Sequence, residues 1–237
     1  MAFKKIKTMG VVQFRNTIVG DTPVRGTNAA YIAFCYNFAE NVTILDASDS
    51  HVHTHVDAIM GPGGEDVDTL LYDPRHAPHI NQGRANPHYT WWIKNMWPRY
   101  ERRGIPFLGI CMNFQAMGAI KGCKLEQHVV IPHSKPRAEL IDTLLGANGD
   151  AFAEGLADKQ VNSIHHQAIY PEGVNEQEFE IVAISKEYGN VEIMKGRNYP
   201  SLLCQFHPEE MNCKLTVSMF QNLLTTHAKV QKEVVPF

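Results

Sequence analysis

Three short stretches of the chain carry residue types that can open an acyl bond. The first is Pro106-Phe-Leu-Gly-Ile-Cys-Met-Asn-Phe-Gln115. An apolar run enters Gly109, then Cys111, then a segment able to form a helix. That is the strand–turn–helix context of a nucleophile elbow, with cysteine in place of serine. A sharp turn would push the thiol out above the sheet, and a small residue two positions earlier avoids a clash. The N-terminus of the following helix would favour the thiolate, the reactive form. The same pattern also describes a buried cysteine closing a core strand, which is the plainer account of Cys35 and Cys204.

The second stretch is Leu202-Leu-Cys-Gln-Phe-His207-Pro-Glu209, an apolar strand that ends in His-Pro-Glu. Residues two apart share a face at a strand end. Glu209 can then bond one ring nitrogen of His207 and set its tautomer, leaving the other nitrogen to act on Cys111. Taken alone, this is also what a surface strand with a proline stop looks like; beside Gly-Ile-Cys, a Cys111–His207–Glu209 triad is the expectation. The third stretch is Ala58-Ile-Met60 running into Gly61-Pro-Gly63-Gly64. A glycine pair is common in tight turns. Its backbone N–H groups can also face a developing oxyanion without side-chain obstruction.

These stretches need elements to hold them. Buried strands are expected at Met9 to Phe14, Val42 to Leu45, Ala58 to Met60, Phe107 to Ile110, Ile181 to Ile184 and Leu202 to Phe206. Between some of them run stripes of helical period: Ala29, Ile32, Ala33 and Tyr36; Trp92, Ile93, Met96, Trp97 and Tyr100; Leu215, Met219, Phe220, Leu223 and Leu224. Strands alternating with helices predict an α/β fold, a mostly parallel sheet covered by helices on both faces. Sites in such sheets form at the carboxyl ends of strands, where the three stretches begin.

Gly109-Ile-Cys-x-x-x-Gln115 together with Gln205-Phe-His-Pro-Glu209 resembles the class I glutamine amidotransferases. The closer resemblance is to their stand-alone γ-glutamyl hydrolase branch, which includes γ-glutamyl-γ-aminobutyrate hydrolase. Gly63-Gly64-Glu-Asp66-Val67, Gly122-Cys-Lys-Leu-Glu-Gln127 and Asn162-Ser163-Ile-His165-His166-Gln167 support that branch in the same order along the chain. The resemblance implies a flavodoxin-like core with Cys111 as nucleophile, His207 as acid–base and Glu209 as its orienter. It implies an oxyanion hole from Gly63 or Gly64 (Gly64 favoured) with Met112, and a γ-glutamyl pocket using Gln115, Ser163 and His165. No cofactor is implied. The expected activity is hydrolysis of a γ-glutamyl amide through a cysteinyl thioester. The alternatives are a glutaminase subunit feeding ammonia to a separate ATP-dependent synthetase or ligase, and an inactive regulatory homologue. One departure stands out: where the family has glycine two residues after the nucleophile, and often arginine directly after it, this chain has Asn113 and Met112.

Composition narrows the setting. The chain has 237 residues, is 44% hydrophobic and carries a formal charge of −3, enough for one sizeable core read as a single domain over 1–237. That charge offers no general attraction for nucleic acid or an anionic membrane. No signal peptide or membrane span is evident, and Asn41-Val-Thr43 reads as an idle sequon. Five widely spaced cysteines (35, 111, 123, 204, 213) without a Cys-x-x-Cys pair fit a reducing cytoplasm. His51, His53 and His55 would share a face on a strand and could hold a metal; a solvated loop is the commoner reading, and no metal is assigned. Trp91, Trp92 and Trp97 read as helix packing, since no basic groove accompanies them.

Overall fold

The computed structural model describes residues 3–13, 16–19, 22–25, 28–73, 75, 85–129, 141–146, 160–211 and 213–234. In chain order its strands are β1 (Ile6–Gln13), β2 (Asn16–Val19), β3 (Thr22–Arg25), β4 (Ala39–Asp46), β5 (Ala58–Gly61), β6 (Phe107–Ile110), β7 (Leu125–Glu126), β8 (Ile141–Gly146), β9 (Gln160–Asn162), β10 (Ala168–Ile169), β11 (Phe179–Ser185), β12 (Val191–Gly196) and β13 (Ser201–Cys204). Its helices are α1 (Ala29–Cys35), α2 (Pro87–Asn95), α3 (Trp97–Glu101), α4 (Met112–Ile120), α5 (Pro208–Met211) and α6 (Lys214–Val234).

Nine strands form one sheet in the order β4-β1-β5-β6-β13-β12-β11-β8-β9. From β4 to β13 every pairing is parallel; from β13 to β9 every pairing is antiparallel. Every residue of β5, β6 and β13 is buried. That is why they read as unbroken apolar runs rather than as alternating ones. All six expected strands are present. The antiparallel strands β8 and β12, and the short β2, β3, β7, β9 and β10, gave no comparable apolar signal.

Each face of the sheet has its own core. On one side α2, α3 and α4 bury Trp92, Trp97, Tyr100 and Phe114 against Phe107 and Met194. On the other, α1 and α6 bury Phe34, Met219 and Phe220 against Met60, Leu108 and Phe206. The tryptophan stripe spans two helices, because Pro98 in the first turn of α3 has no N–H to continue α2. Its buried members are Trp92 and Trp97, while Trp91 is 40% exposed.

The helix expected around Ala29 exists, but it buries the other stripe. Tyr31, Phe34 and Cys35 face the core, while Ala33 and Tyr36 face solvent. Both stripes have helical period; the bulkier set buries more apolar area and wins. Cys35 therefore lies on this helix rather than at a strand end. His51, His53 and His55 lie in a loop, where Asp49 pairs with His51 at 2.9 Å and with His53 at 3.5 Å.

Candidate active site

Sheet order places the three chemical stretches side by side. β6 delivers Cys111, and its two neighbours β5 and β13 deliver the glycine turn and His207. The pairings Gly61↔Gly109 and Cys204↔Ile110 bring all three strand ends level. The Cys111 N–H donates to the Cys204 carbonyl at 2.8 Å, so the nucleophile is tied directly to the strand that carries the histidine.

Cys111 caps α4 with φ 51° and ψ −106°. Among the described residues it is the one non-glycine with positive φ. An L-residue held there costs on the order of 1–3 kcal/mol. The strained residue sits immediately before the first residue of the helix, with its sulfur hydrogen-bonded to His207.

His207 is held by backbone and ring together. Its N–H donates to Asn162 Oδ1 at 2.8 Å, and Asn162 Nδ2 donates back to the His207 carbonyl at 3.2 Å. Nδ1 lies 2.8 Å from Glu209 Oε1. Burial by itself would push the imidazolium down. The Cys111 thiolate beside the ring, a hydrogen bond to that sulfur and the bond to Glu209 more than offset it, raising the pKa from 6.5 to about 10. Cys111, His207 and Glu209 thus meet in one buried cluster. His207, Glu209 and the adjacent Glu210 are also the one group of potential metal ligands among the described residues.

The glycine turn lies against this cluster. A Cβ on Gly63 would sit 2.5 Å from His207 Cε1 and 2.9 Å from the Tyr31 hydroxyl, so only glycine fits. The Gly63 N–H donates to that hydroxyl at 3.0 Å. The N–H groups of Gly64 and Met112 have no hydrogen bond to another described residue. Asn113 is fully buried in space that a Cβ on Gly61 would occupy; it donates to the Pro62 carbonyl and accepts from the Tyr89 hydroxyl. The residue that departs from the family pattern therefore joins the elbow helix to the glycine turn.

The remaining sequence-predicted residues line up behind the nucleophile. Gln115 is buried and donates to the Gln167 carbonyl at 2.7 Å and to Gln205 Oε1 at 3.2 Å. Gln205 Nε2 reaches Cys111 Sγ at 3.9 Å. His165 contacts the Gln167 carbonyl through Nδ1 at 3.0 Å, and Ser163 Oγ and the buried Glu192 through Nε2 at 3.5 and 3.6 Å. Gln167 Oε1 accepts from the Val67 N–H at 2.9 Å, and His166 pairs with Asp66 at 2.6 Å. Burial opposes charge on His166, but the bond to Asp66 outweighs it and raises its pKa. The 162–167 loop is thereby stapled to the turn at 63–67.

Two residues at this site have no role assigned from the sequence. Tyr31 lies outside the Ala29, Ile32, Ala33 and Tyr36 stripe, and Asn162 opens the Asn162–Gln167 motif without a part of its own in the expected site. Choosing between the two α1 stripes by side-chain bulk would have exposed the first. The motif marked the second, but not its clasp on His207.

Comparison with known proteins places the chain in a family and its fold among known folds. Residues 15–209 match the Peptidase C26 family. The chain is 24% identical over 194 residues to anthranilate synthase component 2 of Lactococcus lactis, covering 82% of this chain and 90% of that protein. It is likewise 24% identical over 196 residues to the same component of Saccharolobus solfataricus, covering 82% and 94%. A glutamine amidotransferase from Thermotoga maritima has a similar fold, with TM-score 0.55 and 14% identity over 97% of this chain and 86% of that one. The fold is that of the class I glutamine amidotransferases, and the chain belongs to the Peptidase C26 family.

Proposed function

We propose that this protein hydrolyses a γ-glutamyl amide, glutamine or a γ-glutamyl amine, through a thioester on Cys111. The observation that carries the reading is the strained Cys111 at the head of α4, beside a His207 ring that Glu209 orients. The Cys111 thiolate attacks the side-chain carbonyl, and the oxyanion is received by the N–H groups of Gly64 and Met112. The C–N bond breaks as His207 gives its proton to the departing amine. His207 then takes a proton from water, which attacks the thioester and releases glutamate and the thiolate. Gln115, Ser163 and His165 support the γ-glutamyl pocket as the bonded wall behind the nucleophile, and no cofactor takes part.

A second reading is a glutaminase subunit that passes ammonia to a separate synthetase or ligase. Relatives named as components of a synthase favour it. That reading expects weak turnover alone and stimulation by the partner. The deciding test is intact mass after treatment with a glutamine-like chloroketone, comparing wild type with Cys111→Ala. One adduct that vanishes in the variant is the expected result. A folded wild type that takes no label would overturn an activated thiolate in an open γ-glutamyl pocket.

A further inference from the structure

The Tyr31 hydroxyl stands where three parts of the site meet. It accepts from the Gly63 N–H at 3.0 Å and lies 3.3 Å from His207 Nδ1. It is 7% exposed and comes from α1, an element that supplies none of the family motifs. Burial first, then the nearby Glu209 carboxylate and Cys111, raise its pKa, so the phenol keeps its proton. That proton has few destinations. Nδ1 of a protonated His207 carries its own hydrogen, which goes to Glu209 Oε1 at 2.8 Å. The other carboxylate oxygen, Glu209 Oε2, is buried and has no hydrogen-bond partner among the described residues, which leaves it as the acceptor this proton can turn to.

The opposite face of the same peptide is held as well, since Asn113 Nδ2 donates to the Pro62 carbonyl. The plane of the Pro62–Gly63 peptide is therefore gripped from both sides. With Gly63 N–H turned to Tyr31, the next amide along, that of Gly64, is the one left for the substrate.

We propose that Tyr31 is a positioning residue through which Glu209 orients the glycine turn as well as His207. Glu209 accepts the Tyr31 proton, Tyr31 accepts the Gly63 N–H, and the carboxylate that sets the imidazole also sets the Pro62–Gly63 peptide. Its catalytic consequence rests on the γ-glutamyl amidase reading; the coupling itself does not.

The test is a double-mutant cycle with Tyr31→Phe and Glu209→Gln, read by hydrogen exchange at the Gly63 amide. Tyr31→Phe removes one oxygen and keeps the ring in its core position. Exchange at Gly63 is expected to quicken about tenfold in that variant, the size of one lost buried hydrogen bond. Glu209→Gln is expected to quicken it too, although the Gly63 N–H donates to Tyr31 and not to that side chain, and the double variant is expected to add little further. Additive effects, or a Glu209→Gln variant that protects Gly63 as well as wild type does, would overturn the proposal. Should either variant fold poorly, wild-type NMR supplies the same answer: a Tyr31 hydroxyl proton coupled to Glu209 supports the link, and one directed elsewhere removes it. With a γ-glutamyl substrate, Tyr31→Phe should lower kcat about tenfold and leave KM nearly unchanged. No turnover in wild type with coupled exchange would sink the amidase reading and spare Tyr31. Turnover with uncoupled exchange would do the reverse.

Discussion

At the scale of single residues, Cys111 is where backbone energy and chemistry meet. Its positive φ is uncomfortable for any side chain, so a glycine there should relax it. Cys111→Gly is expected to be more stable than Cys111→Ala by about 1 kcal/mol in urea unfolding, with both inactive. Equal stabilities would mean that the turn is not strained. Gly63→Ala forces a methyl group onto the His207 ring and the Tyr31 hydroxyl, and should abolish turnover in a folded protein, as judged by circular dichroism and assay. His207 gives a signed pH dependence. Its folded pKa of about 10 lies above the ordinary 6.5. The stability gained from its charge is therefore complete below about 6.5 and lost as pH rises through about 10. The advantage of wild type over His207→Gln in urea should shrink across that window. An advantage that grows with pH would show that the ring is held neutral.

At the scale of elements, Asn113 shows how an exception to a family pattern is absorbed. Glycine at this position would let α4 approach β5 closely. Here Gly61 supplies the room instead, and the asparagine amide spends its hydrogen bonds on Pro62 and Tyr89. Restoring the family residue should therefore harm this protein. Asn113→Gly is expected to cost about 2 kcal/mol, from lost buried hydrogen bonds and glycine in a helix. It should also slow turnover by loosening the glycine turn. A variant as stable as wild type would show that the asparagine merely fills space. The α1 stripe carries a related lesson. Period alone fits two faces; side-chain bulk favours Tyr31, Phe34 and Cys35, and the core beneath, with Phe38 and Phe220 packed edge to face at 5.1 Å, buries them.

At the scale of the molecule, the site depends on strand neighbours rather than on chain neighbours. β5, β6 and β13 begin far apart in sequence, and the core beneath β6 keeps their ends level. Trp97 is fully buried, with its ring 4.4 Å from Phe107 of β6 and 4.9 Å from Tyr199 at the approach to β13. Trp97→Ala should cost about 3–5 kcal/mol in urea unfolding. In the folded fraction it should also slow labelling of Cys111, although Trp97 lies outside the triad. Unchanged labelling would mean that β6 holds its place without that core.

The sequence by itself determined whatever depends on short range. An apolar run into Gly-Ile-Cys, an apolar run into His-Pro-Glu and a glycine turn after β5 each announce a strand and the group at its end. Strand interiors buried on both faces leave no polar interruption to blur the signal. It was silent where position depends on partners far along the chain. The antiparallel strands β8 and β12, the face α1 buries, the clasp of Asn162 on His207 and the place of Tyr31 between Gly63 and His207 all join residues many positions apart. Such choices are made by area buried and hydrogen bonds satisfied across the finished sheet, and only the tertiary structure holds both sides of those contacts.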